Sequence, residues 1–164
     1  MLNRPSPAIK TNDPRGVVLL GIGNELQGDD AAGLLVIRAL QARAGASPAV
    51  LILEAGTAPE NFSGKIRKFA PARVIFVDAA DMGLEPGSVD WIALEQIDGY
   101  SASSHIMPLS VLAKFLVEDV GCQVDVIGIQ AQSLEMGQAV SAPVKKAVRK
   151  VANELFRQFC RPSG

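Results

Sequence analysis

The chain has 164 residues, of which 48% are hydrophobic and 20% charged, with a formal net charge of −1. That length suits one domain whose core buries roughly 68–70% of the unfolded chain's surface. The near-neutral balance supplies no bulk attraction to nucleic acid or an anionic membrane, and no segment approaches roughly 18 consecutive apolar residues, so the expected partner is a protein or a small molecule.

Met1 to Arg15 contains Pro5, Pro7 and Pro14 and no apolar run of signal-peptide length. Residues 1–15 are expected to form a flexible tail on a domain spanning 16–164, in a cytoplasmic protein. Cys122 and Cys160 make no C-x-x-C pair, so neither a thioredoxin-type motif nor a zinc knuckle can be written from them.

Val17-Val18-Leu19-Leu20 predicts a buried strand entering the turn Gly21-Ile22-Gly23. From Asp29 to Arg43 the period becomes helical, with acids at the start and Arg38 and Arg43 later, the polarity a helix dipole favours. Val50–Leu53 predicts a second strand. Thr57-Ala58-Pro59-Glu60 then has the T-x-x-E spacing of a capping box, with proline in the first turn of a helix running to about Phe69.

Val74–Val77 predicts a third strand that runs into a polar turn at Asp78, and Val89–Leu94 a half-exposed strand suited to an edge. Pro108 opens a helix with Leu109, Leu112, Phe115 and Leu116 on one face. After a last strand at Val124–Ile129, Ser141 is expected to cap a terminal helix whose stripe is Val144, Val148, Val151, Leu155 and Phe159. This alternation predicts an α/β three-layer sandwich: a mostly parallel twisted sheet of about five strands with helices on both faces.

His105 is the single histidine, so every imidazole-dependent chemistry must pass through it. Asp29, Asp30, Gly56, Thr57 and Asp78 are expected on turns after strands, where open α/β sheets collect ligands. Gly21-Ile22-Gly23 invites a dinucleotide, but Leu26 stands where the pattern needs glycine, and the acids at the helix start would repel a pyrophosphate. A cation suits that turn better, and one imidazole with two loop carboxylates suggests a sparse metal site.

Blander roles compete at each position. Asp30 also fits an ordinary helix-dipole acid, Asp78 and Asp81 fit Asx turns, and His105 fits a histidine bonded to a backbone carbonyl. Met107 and Met136 read as packing residues rather than ligands, and Glu25 and Gln27 as exposed loop residues able to touch a partner. Ser103 and Ser104 adjoin His105, but no G-x-S-x-G elbow is present, which argues against a serine hydrolase.

Taken in order, Gly21-Ile22-Gly23-Asn24, Gly28-Asp29-Asp30-Ala31-Ala32-Gly33, Gly56-Thr57-Ala58-Pro59-Glu60-Asn61, Val77-Asp78-Ala79-Ala80-Asp81-Met82-Gly83, Ser104-His105-x-Met107-Pro108-Leu109 and Gly128-Ile129-Gln130 resemble the nickel–iron hydrogenase maturation endopeptidases. The Gly-Asp-Asp and Asp-Met-Gly turns most resemble the branch that processes the hydrogenase 3 type large subunit. The resemblance implies a monomeric aspartyl endopeptidase that removes a C-terminal extension from the large-subunit precursor after nickel insertion. It implies Asp30, Asp78 and His105 as metal-contacting residues, with the nickel supplied by the precursor.

One imidazole and hard carboxylates should hold nickel only moderately. That fits a protein that completes the coordination of a metal its substrate brings. Asp30 or Asp78 is the candidate base that activates water against the scissile carbonyl. Two alternatives stay open: a nickel-dependent checkpoint that binds the precursor without cutting, and a small-molecule metallohydrolase. Because imidazole must be neutral to bind metal, processing is expected to weaken below about pH 6.5.

Overall fold

The aliphatic run at the start of the domain forms β1 (Val17–Ile22), and the acidic turn after it is a short 3-10 turn, Gly28–Ala31, leading into α1 (Ala32–Arg43). β2 (Val50–Gly56), a 3-10 turn (Pro59–Phe62), α2 (Ser63–Phe69) and β3 (Arg73–Ala80) continue the alternation. β4 (Val89–Ile92), a 3-10 turn (Leu94–Gln96), α3 (Ile97–Tyr100), α4 (Leu109–Val120), β5 (Gln123–Gln130) and α5 (Ala142–Leu155) complete it. These are the elements of a computed structural model that describes residues 13–45, 47–102 and 107–160.

The five strands form one sheet in the order β2-β1-β3-β5-β4, parallel except for β4, which runs antiparallel along β5. Side chains alternate between the faces. On one face Val18, Leu20, Phe76 and Val126 pack with Ile66 of α2 and Leu112 and Leu116 of α4. On the other Leu19, Ile75, Val77 and Ile127 pack with Ile37 of α1 and Val148 and Val151 of α5. Both faces are covered, giving the three-layer sandwich read from the sequence. All eight residues of central β3 are buried, hence its near-continuous apolar run.

From β1 the chain crosses to β2 on one side and returns to β3 on the other, so the strand order reverses between β1 and β3. The carboxyl ends of these two strands flank the crevice where open α/β sheets bind ligands. Gly33 brings α1 close to that crevice: a Cβ there would lie 2.1 Å from the Val77 carbonyl oxygen and 2.3 Å from that of Ile22. Any larger residue would push the helix off both strands.

Four local expectations change. Thr57 does not cap; the turn begins after Ala58 with Pro59 in its first position, and its N-cap makes no side-chain hydrogen bond. Phe115 is exposed rather than part of the buried face of α4, its ring lying 5.8 Å from the Arg67 guanidinium. β4 is an edge strand as expected, but Val89, Trp91 and Ile92 are buried because α5 covers their side of the sheet and Ile92 reaches the other core. Met136 is 65% exposed and packs into neither core.

Candidate active site

The two neighbouring acids of the first turn are both buried, at 1% exposure each, yet they are used differently. Asp29 Oδ2 accepts the amide N–H groups of Gln132 (2.8 Å) and Ser133 (3.1 Å) and the Ser141 hydroxyl (2.9 Å), while Oδ1 accepts the Ser141 amide (2.7 Å). A buried carboxylate needs such donors, and Asp29 finds them in the loop joining β5 to α5. Its own amide donates to the Ser133 carbonyl (3.0 Å), so the loops after β1 and β5 are fastened together. Ser141 does precede α5, but it is not the side-chain cap expected of it: its hydroxyl turns to the charge on Asp29.

Asp30 faces the preceding turn. Its Oδ2 accepts the Asn24 amide N–H at 2.9 Å. The Asn24 side chain accepts the Leu26 amide (3.0 Å), an Asx turn that sets the loop's path. Gly23 makes this possible with φ +146°, since a Cβ there would lie 1.9 Å from the Asp30 carbonyl oxygen.

Asp78 is not in a turn, as its position after Val77 suggested. β3 continues two residues further, pairing up to Ala80 with Gln130, because β5 runs equally far. Asp78 thus sits in a strand, opposite Gly128 and 2% exposed, with Oδ2 accepting the Ser101 hydroxyl at 3.1 Å. The chain leaving α3 lies against the end of β3: the Asp81 amide donates to the Tyr100 carbonyl (2.8 Å) and the Ala102 amide to that of Ala79 (3.2 Å).

His105 lies outside the described residues. The residues on either side of that stretch are anchored. Ala102 is held to β3, and Asp98 of α3 accepts both the amide N–H (3.1 Å) and the hydroxyl of Ser110, in the first turn of α4. Asp98 thereby gives α4 a cap from another helix, Pro108 having no side chain to offer.

Ser101 and Gln130 hold site elements that the sequence did not single out for this role. Gln130 is buried; its Oε1 accepts the amides of Met82 (2.7 Å) and Leu84 (3.3 Å), and its Nε2 donates to Asp81 Oδ1 (3.3 Å). The loop after β3 is therefore set by β5. Asp81 behaves as the Asx-turn residue it resembled, accepting the Gly83 amide at 3.4 Å. Glu25 pairs with Arg38 (2.8 Å), which also binds Glu54, so the Arg38 guanidinium is held firmly protonated.

The crevice between β1 and β3 is thus bordered by two buried carboxylates on separate elements, each with an oxygen fixed by a named donor. Carboxylates so placed can move a proton or offer hard oxygen ligands to a cation. Among the described residues, no group of three or more histidine, cysteine, aspartate or glutamate side chains is placed to hold a metal ion. No helix among them is long and apolar enough to cross a membrane.

A family model described as HycI, hydrogenase maturation protease, matches residues 34–158. The hydrogenase 3 maturation protease of Escherichia coli K12 is 38% identical over 141 residues, covering 84% of this chain and 87% of that protein. A putative hydrogenase maturation protease of Methanocaldococcus jannaschii is 31% identical over 90% of each chain. Among solved structures, the NiFe hydrogenase maturation protease HycI from Thermococcus kodakarensis KOD1 superposes with a TM-score of 0.81 at 33% identity, covering 91% of this chain and 94% of that one. The switch-point crevice, its carboxylates and these near full-length likenesses agree: the chain belongs to the hydrogenase maturation protease family and is an enzyme that hydrolyses peptide bonds.

Proposed function

We propose that the protein is an aspartyl endopeptidase of the cytoplasm that removes a C-terminal extension from the nickel-loaded large-subunit precursor of a nickel–iron hydrogenase. The observation that carries this is the pair of buried carboxylates, Asp30 and Asp78, beside the β1/β3 crevice of a chain with these relatives. The related proteins are named for hydrogenase maturation, and for NiFe hydrogenase in the T. kodakarensis structure.

In this reading the nickel belongs to the substrate. Asp30, Asp78 and His105 complete its coordination, so a precursor without nickel forfeits those contacts and is passed over. The oxygen donors of Asp30 and Asp78 fit such a role: hard ligands bind a borderline ion only moderately, which lets the metal leave with the product. The ion's chemical contribution is to draw electron density from the scissile carbonyl.

The chain's own residues do the rest. Because the ion is held only moderately, Asp30 or Asp78 can release it to accept a proton from the attacking water and return that proton to the leaving amine. The Asn24 amide and the Ser101 hydroxyl fix one oxygen of each carboxylate, so that neither has to reorganise as the carbonyl is attacked. The protein acts as a monomer, with 16–164 as its catalytic domain; most of the 1–15 segment lies outside the described residues. Family membership favours cleavage over a checkpoint that only binds the precursor.

The test is to mix the purified protein with nickel-loaded and nickel-free precursor and follow mass. The expected result is loss of a C-terminal peptide from the loaded form alone. An intact loaded precursor would sink the proposal, and equal cleavage of both forms would remove nickel as the recognition element.

A further inference from the structure

Six large apolar side chains are exposed among the described residues, and they fall into two groups. Val111, Phe115 and Val117 lie on α4. Leu26 (63% exposed), Leu84 (41%) and Met136 (65%) lie in the loops after β1, β3 and β5, at the sheet edge that carries Asp30 and Asp78. Exposed apolar groups clustered at one functional edge mark an interaction surface more often than single ones do.

Two of the three form a built platform. The Gly137 amide donates to the Leu26 carbonyl (2.8 Å), setting the two loops side by side, and Asp29 fastens the same pair of loops through Gln132 and Ser133. Leu26, Met136, Gly137, Glu25 and Gln138 line an open cavity of about 360 Å³.

The charge of this edge is one-sided. The stretches 23–31, 57–62, 81–88 and 131–141, which follow the four parallel strands, contain no lysine or arginine. They carry Glu25, Glu60, Asp81, Glu85 and Glu135 besides the buried Asp29 and Asp30. Each exposed apolar residue adjoins a glutamate: Glu25-Leu26, Leu84-Glu85 and Glu135-Met136. Arg38 offsets part of this by reaching Glu25 from α1, but it is shared with Glu54. In a chain of net charge −1, the asymmetry belongs to this edge rather than to the whole molecule.

We infer that the Leu26–Met136 platform with its flanking glutamates is the docking surface for the substrate polypeptide, and that it takes an apolar segment carrying lysine or arginine. This rests on the endopeptidase proposal for the partner's identity. Apolar contact supplies the affinity, and the acidic border supplies orientation and speed of encounter.

The decisive measurement pairs binding with cleavage, using nickel-loaded large-subunit precursor immobilised for interferometry and the same mixture followed by mass. Leu26→Ser with Met136→Ser should weaken Kd and raise KM by about tenfold, with kcat within about twofold. Glu135→Lys should weaken binding by roughly threefold and flatten its salt dependence. Val111→Ser with Val117→Ser, on the other apolar group, should change neither.

Unchanged Kd and KM in the Leu26/Met136 variant would overturn the surface. So would wild-type self-association that this variant abolishes, because the occupant would then be a second copy of the chain. A precursor whose C-terminal lysines and arginines are replaced by glutamine, and which still binds normally, would overturn the charge assignment. If wild-type protein binds without cutting, the endopeptidase proposal fails, while the Kd comparison still decides the surface.

Discussion

The two ends of β3 are both buried and both charged, but they solve the problem of burial differently. At the amino end Arg73, 1% exposed, donates from Nε to Asp125 Oδ2 at 2.6 Å, and its guanidinium carbon lies 5.3 Å from the Trp91 ring centre. Gln123 donates to the same carboxylate oxygen (2.9 Å). A cation and an anion close on each other inside the sheet face that α5 covers. At the carboxyl end Asp78 meets the hydroxyl of Ser101, and Asp30 the amide of Asn24. A partner of opposite charge neutralises; a hydroxyl or amide positions. One end has the design of a joint; the other suits the reagent role proposed for it.

The largest expected effect tests the carboxyl end. Asp30→Asn and Asp78→Asn should each lower kcat/KM for precursor cleavage by roughly 10²–10⁴-fold, the range for loss of a positioned acid–base group. Asparagine keeps an acceptor for the Asn24 or Ser101 donor, so the melting temperature should stay within a few degrees. Undiminished cleavage in either variant removes that residue from the chemistry. A large loss of melting temperature instead would make that carboxylate a joint like the one at Arg73.

Arg73→Met tests the amino end with the opposite signature. Removing the cation leaves Asp125, whose side chain is 12% exposed, with Gln123 as its remaining named donor, a cost of about 3 kcal/mol at the lower end of the range for breaking such a pair. That corresponds to a fall in melting temperature of roughly 6–12 °C for a domain of this size. The kcat of the folded enzyme should be unchanged. A catalytic defect without destabilisation would erase the distinction between the two ends.

Asp29→Asn sharpens the comparison, because Asp29 lies at the edge proposed to be catalytic but is bonded like a structural group. It should cost about 2 kcal/mol, the effect of weakening hydrogen bonds to a charged acceptor. Faster amide exchange should appear at Gln132, Ser133 and Ser141, whose N–H groups it receives. Cleavage should fall mainly through KM, since the loop it fastens carries Met136.

Asp29 also marks where the sequence stops being legible. Two adjacent acids at a helix start look alike in one dimension; what separates them is a donor 103 positions away, which no local period records. The strands, their order of types and the five-stranded three-layer architecture were readable because each strand is a β-branched run bounded by glycine or polar turns, and each long helix has an apolar stripe. Ends of elements were less so. β3 outran its apolar segment because β5 offered partners as far as Gln130, and a pairing is a property of two strands. Ser141 and Thr57 had the composition of caps, but a cap depends on which acceptor or donor lies nearer in space. Asp30 and Asp78 were candidates by their place after strands and by the family resemblance, with Asp78 assigned to a turn it does not occupy. The contribution of Ser101 carried no signal beyond its nearness to His105 in sequence.

The smallest effect concerns Cys122, at the amino end of the sheet beside the start of β5. Burial pushes its thiol above the ordinary 9.0, with a backbone hydrogen bond and then the Arg15 guanidinium pulling the other way. The folded state therefore holds this proton at pH values where the unfolded chain has released it. Unfolded protein binds fewer protons in that window, so stability is fully present below pH 9 and is lost as pH rises through the folded value. Cys160 is shifted in the same direction by burial, and a Cys160→Ala background isolates the first thiol. In that background Cys122→Ala should flatten the alkaline decline of unfolding free energy measured by urea titration, and leave cleavage kinetics at pH 7 unchanged. An unchanged alkaline slope would mean that the thiol is no more buried in the folded state than in the unfolded one. A change in kcat would mean that the amino end of the sheet reaches the chemistry after all, against the division that Arg73 and Asp78 define.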